Sequence, residues 1–126
     1  MPDLNFQEWA DTANADAGLV HRGRYVNAVV LLDLGDEHHL ISIRDGRIES
    51  IVPKPRVMPL WTFAIRAPRE EWGAFWQARP VPGSHDIMAL LRRQVMVVEG
   101  DLHPLMANLR YFKDVLEIPR GKANAA

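Results

Sequence analysis

Hydrophobic and polar positions follow two periods along this chain, and the switches between them mark its elements. Near the start, Phe6, Trp9, Ala10, Ala13 and Ala17 recur at three-and-four spacing, with Glu8, Asp11 and Asn14 off that stripe. This predicts a helix over 5–17, after which Gly18 and Gly23 loosen the chain. Tyr25 to Leu34 is rich in β-branched and aliphatic residues and stops at Gly35-Asp36, so it reads as a strand ending in a turn. His38 to Arg44 alternates as a second strand and Arg47 to Val52 as a third. Between them Asp45-Gly46 is the pair that most favours a two-residue hairpin, because both positions tolerate positive φ. A three-strand antiparallel meander follows.

Pro53, Pro55 and Pro59 interrupt ladder bonding and predict a stiff connector. Leu60 to Arg66 reads as a fourth strand. Pro68, with Glu70 and Glu71 behind it, suits the first turn of a helix whose apolar stripe is Trp72, Phe75 and Trp76. Pro80-Val81-Pro82-Gly83 breaks that helix. Ser84 or Asp86 then caps a short one reaching Arg93, with Ile87, Met88, Leu90 and Leu91 turned inward. Val95 to Val98 is a fifth strand and Glu99-Gly100-Asp101 a turn. One last helix carries Leu102, Leu105, Met106, Leu109, Phe112 and Leu116 on a single stripe until Pro119 ends it. The expected fold class is α+β, a five-stranded, largely antiparallel sheet with helices packed on one face. A single domain over 1–126 is expected, with its core at 5–118 and a flexible tail at 119–126.

Composition narrows the chemistry. With 48% hydrophobic and 25% charged residues, a chain of 126 can bury a core, and a net charge of −1 with no basic block argues against nucleic acid. There is no cysteine, so disulfides and thiol chemistry are excluded. The first residues lack a signal-peptide pattern and the longest apolar run, Ala28 to Leu32, is too short to span a bilayer. Cytoplasm is the default compartment. No Gly-rich phosphate loop, Gly-x-Ser-x-Gly elbow or metal-ligand spacing is present. His38 and His39 adjoin Asp36 and Glu37, but neighbours on a strand face opposite ways, so a turn ornament is favoured over a shared ion. Asp101 with His103 reads as capping rather than an acid/base pair.

The order of elements, with three local signatures, resembles the sterol carrier protein type-two domain over Asn5 to Leu116. The signatures are Val30-Leu31-Leu32-Asp33-Leu34-Gly35-Asp36 with the later Asp45-Gly46, Ile65-Arg66-Ala67 leading to Glu70-Glu71-Trp72, and Val98-Glu99-Gly100-Asp101-Leu102. The resemblance implies a twisted sheet with a lipid-sized tunnel beneath helices, a sterol, fatty acid or acyl-CoA as ligand, and no cofactor; it also allows transient membrane contact. Two stretches depart from the family's pattern: Pro59-Leu60-Trp61-Thr62 ahead of the fourth strand, and Gln94, Val95 and Val97 where basic residues are common.

Alternation places Val30, Leu32, Ile41, Phe63, Met96 and Val98 toward the helices, where Met88, Leu91, Leu105, Met106, Leu109 and Phe112 would meet them. These are the candidate ligand-lining residues. From periodicity alone a solid core is the commoner outcome; the resemblance tips the balance to a cavity, and three flexible methionines lean the same way. The expected function is non-enzymatic binding or transfer of a lipid-like ligand, with no catalytic residue assigned. Two alternatives stand beside it: a small conical α+β enzyme acting on a steroid-like or polyketide-like compound, and a ligand-free domain that dimerises or docks an enzyme. On the opposite parity, Val29, Leu31, Val95 and Val97 form an aliphatic set that predicts a homodimer through the outer sheet face.

Overall fold

The computed structural model describes residues 5–53 and 60–120. The N-terminal helical stretch is two helices, α1 (Phe6–Ala15) and α2 (Ala17–Arg22). Asp16 divides them: its extended backbone ends α1 while its carboxylate accepts the Leu19 N–H and caps α2. A capping carboxylate at that position outweighs the continuous stripe, and Gly18 lies inside α2 rather than loosening the chain.

Strands β1 (Asn27–Asp33), β2 (His38–Arg44) and β3 (Arg47–Pro53) form the expected antiparallel meander. Its hairpin has φ 51° at Asp45 and 81° at Gly46, the conformation that the Asp-Gly pair supplies. Strand β4 (Phe63–Arg66) pairs in parallel with β1, and β5 (Val97–Gly100) runs antiparallel to β4, giving the order β3-β2-β1-β4-β5. Only tight turns force antiparallel neighbours, and none joins β3 to β4. Pro53 closes β3 opposite His39, whereas Pro55 and Pro59 lie outside the described residues. Strand β4 begins three residues later than expected, although Thr62 already bonds β1 through its amide to the Val29 carbonyl and through its hydroxyl from the Val29 N–H.

The remaining helices are α3 (Arg69–Phe75), α4 (Ile87–Arg92), α5 (His103–Ala107) and α6 (Leu109–Glu117). Pro68 caps α3 from outside rather than sitting in its first turn, and Asp86, not Ser84, caps α4 through the Met88 N–H. The last helix is interrupted at Asn108 (φ −130°), which restarts the helical phase. Asp101 accepts the His103 backbone N–H, so its role there is to open α5. Arg120, expected in the tail, is held by carbonyls of Phe75 and His85 and by Glu117, and Pro119 is buried beside it. Residues 121–126 lie outside the described set.

Candidate functional site: the apolar layer beneath the helices

The strand registers define two faces. On the inner face Ile41, Val30 and Phe63 stand in one row, with His39, Leu32, Ile65 and Val98 in the next. Of the twelve candidate lining residues, Val30, Leu32, Ile41, Phe63, Met96, Leu105 and Phe112 are buried, while Met88, Leu91, Val98 and Leu109 are half-buried. Met106 is the exception, 48% exposed. The break at Asn108 explains it: α5 is a five-residue helix that turns Leu105 inward, so the stripe read across a continuous helix does not pass through Met106.

The buried residues meet through aromatic contacts. Phe63 of β4 and Phe112 of α6 pack edge to face with centroids 5.3 Å apart, and Tyr111 meets Phe112 at 5.2 Å. Trp9, Trp72 and Trp76 form a second cluster, with Trp72 and Trp76 stacked at 5.0 Å and Trp9 edge-on to Trp76 at 6.0 Å. Each indole N–H donates to a carbonyl: Trp9 to Val115, Trp72 to Asp33 and Trp76 to Leu116. Burying an unpaired indole would cost free energy, so these bonds let three tryptophans sit in the core. Trp61 is half-buried.

The layer is closed firmly at its hairpin end. Tyr111 donates its hydroxyl to the Gly46 carbonyl at 2.7 Å, and burial pushes its pKa up to about 12. A Cβ on Gly23 would sit 2.3 Å from the Tyr111 ring, so only glycine lets α2 end there. Polar side chains are scarce within the buried set of the described residues, His39 and Ser84 being its members. The sequence pattern had suggested a turn ornament at His39, and the structure corrects this. Strand β2 alternates, so His39 shares the inner face with Ile41 and Ile43 while His38 faces the other way. That parity was the available signal. His38 instead joins an outer-face ion cluster, 3.4 Å from Asp33, which also pairs with Arg66 at 2.9 Å; Arg66 binds Glu99 in turn.

Charged surface clefts flank the layer. One of about 540 Å³ lies between α6 and the turn that precedes α4 and is lined by His85, Asp86, Leu109, Arg110, Lys113, Asp114 and Glu117. Within it Lys113 pairs with Asp86 at 3.1 Å.

The outer face differs from expectation. Leu31 is 4% exposed, Ala64 of β4 separates it from β5, and Val95 precedes β5 and packs on the core. Only Val97 of the four aliphatics is well exposed, at 53%. The contiguous open patch that motivated a homodimer is therefore absent from these residues.

No family model matches the chain, and no curated protein matches it by sequence. Solved structures do match by fold. A crystal structure of sterol carrier protein 2 superposes with a TM-score of 0.73 at 12% identity, covering 91% of this chain and 92% of that one. A protein of Thermus thermophilus, suggested to be a sterol carrier protein, matches with a TM-score of 0.63 at 11% identity, covering 94% of this chain and 91% of that one. The UbiJ-SCP2 ubiquinone synthesis protein matches with a TM-score of 0.58 at 9% identity, covering 90% of each.

Proposed function

We propose that this chain, which has a sterol-carrier-protein-2-like fold, binds a lipid-like apolar molecule between its sheet and helices and carries or presents it without chemical conversion. The observation that supports this reading most is the fold itself, shared over nine-tenths of the chain with sterol carrier protein 2. The inner face adds to it. Val30, Leu32, Ile41 and Phe63 form a continuous apolar floor without a carboxylate among them, and Asp33 lies on the opposite parity. An Asp or His with a shifted pKa inside the layer would favour an enzyme; His39 is such a group, but Phe6 stacks on its ring and occupies that face.

A ligand would gain about 25 cal/mol per Å² of apolar surface removed from water. It would also have to part side chains that now touch, Phe63 and Phe112 above all. That contact supports a second reading, in which the layer is a filled core and the domain serves by docking another protein. The UbiJ-SCP2 match, to a protein of ubiquinone synthesis, is compatible with either. Native mass spectrometry of the purified protein, joined to titration with a fluorescent fatty acid displaced by oleate or cholesterol, separates the two. Co-purified lipid, or saturable one-to-one displacement, is the expected result; an empty protein with no saturable uptake of either competitor would leave the docking reading.

A further inference from the structure

We propose that His39 is a pH-sensitive latch for the first turn of α1: as a neutral imidazole it is the floor on which Phe6 rests, and as an imidazolium it releases that turn from the sheet. The latch stands apart from the question of whether the layer takes a ligand.

His39 is 4% exposed, between Leu32 of β1 and Pro53 of β3. Phe6 stacks on its ring with centroids 4.0 Å apart and planes 29° from parallel. Neither Nδ1 nor Nε2 has a hydrogen-bond partner. An imidazolium would keep some attraction to the phenyl face, but a charge buried with no hydrogen bond to either nitrogen is disfavoured more strongly.

The surrounding charges do not rescue the charged form in place. The β1–β2 turn presents Glu37, whose carboxylate is 3.8 Å from Nε2, beyond hydrogen-bond reach, and is itself held by Arg69 of α3 at 3.0 Å. Arg69 and His38 oppose a positive charge on the ring, as does the positive N-terminal end of α1. The facing residues of β1 and β3 are apolar, and α1 offers Phe6, with Glu8 and Asp11 exposed. Burial, the largest influence, holds His39 below its ordinary value of 6.5, and Glu37 only partly offsets it.

The release is local because the rest of α1 is fastened elsewhere. Trp9 donates to Val115 at 2.8 Å, and Asn14 bonds both the N–H and the carbonyl of Ile48. The bonds that loosen are those of the first turn, from the Glu8 N–H to the Asn5 side chain and from the Trp9 N–H to the Asn5 carbonyl, both 3.0 Å.

The test joins an NMR titration of the histidine imidazoles with amide hydrogen exchange, corrected for intrinsic chemical rates, on the full chain. His39 should titrate below 6.5. Protection of Glu8 and Trp9 should fall over the same interval, by roughly tenfold for each pH unit below 6.5 until His39 is charged in the closed form. The Ile48 amide should keep its protection. His39→Phe should hold the first turn closed across the range, and His38→Gln, which removes a like charge beside the ring, should keep the transition and move it to higher pH. An imidazole that titrates at or above 6.5 would overturn the latch. So would protection that stays flat while His39 titrates, or a profile that survives His39→Phe or disappears with His38→Gln. Should His39→Phe fail to fold, coincidence of the two wild-type curves decides.

Discussion

The two ends of α1 meet the sheet in different ways. At the C-terminal end Asn14 uses both halves of its amide on one residue of an edge strand, donating to the Ile48 carbonyl and accepting its N–H. The side chain thereby takes the place of a neighbouring strand and blunts the β3 edge. At the N-terminal end Phe6 rests on an imidazole that has no hydrogen bond at all. Directional bonds between neutral groups hold at any ordinary pH. A contact on a buried titratable ring weakens once that ring must carry a charge without a hydrogen bond. One helix thus combines a permanent fastening with a conditional one, and Trp9, bonded to Val115, lies between them.

That tryptophan offers the largest perturbation. Trp9→Ala removes a buried indole, its bond to Val115 and its edge contact with Trp76, and should cost about 3–5 kcal/mol in chemical denaturation. The first turn should then lose exchange protection even at neutral pH, whereas the Ile48 amide should keep protection through Asn14; loss at both ends together would show that Trp9 couples them. Asn14→Ala breaks two bonds and should cost about 1–3 kcal/mol, equally at neutral and mildly acidic pH. A loss that varied with pH would mean that the fastening is not the neutral one described. Tyr111→Phe removes the bond to Gly46 and should cost about 1 kcal/mol. Because the phenol ionises near 10.0 when unfolded and only at about 12 when folded, wild-type stability should fall between those values. The phenylalanine variant should lack that component, which paired alkaline melts would reveal. His39→Phe should have the smallest effect at neutral pH and a visible one in acid. A group whose folded pKa is depressed below 6.5 costs the native state stability as pH falls through that value. Wild type should therefore lose melting temperature on acidification faster than the variant, and equal slopes would contradict the conditional fastening.

Much of this was legible in the sequence wherever local chemistry decided the outcome. Asp45-Gly46 specified its turn, the β2 alternation its buried face, and the Asp86 cap its helix. Boundaries shifted where a single polar residue outweighed a hydrophobic stripe. Asp16 splits the first helix and Asn108 the last, and the second break put Met106 on the surface. The parallel pairing of β4 with β1 could not be read from turn signals, since it depends on a long connection and on which sheet edge remains open. Within the candidate site the aliphatic floor followed from parity, but whether Phe63 and Phe112 pack together or stand apart is a matter of tertiary packing. His39 was expected to be a turn ornament because it adjoins a turn, whereas its parity with Ile41 and Ile43 was the sign that it faces inward.

The proposed function requires the layer between β4 and α6 to part and admit an apolar chain. Methyl-selective NMR during titration with oleate tests it most directly. Saturable, one-to-one shifts are expected at methyls of the core that holds Phe63 and Phe112, those of Ile65, Met96 and Leu105 among them, with the two phenyl rings moved apart at saturation. No shift at saturating oleate, or shifts confined to the charged cleft of His85, Leu109 and Lys113, would contradict it.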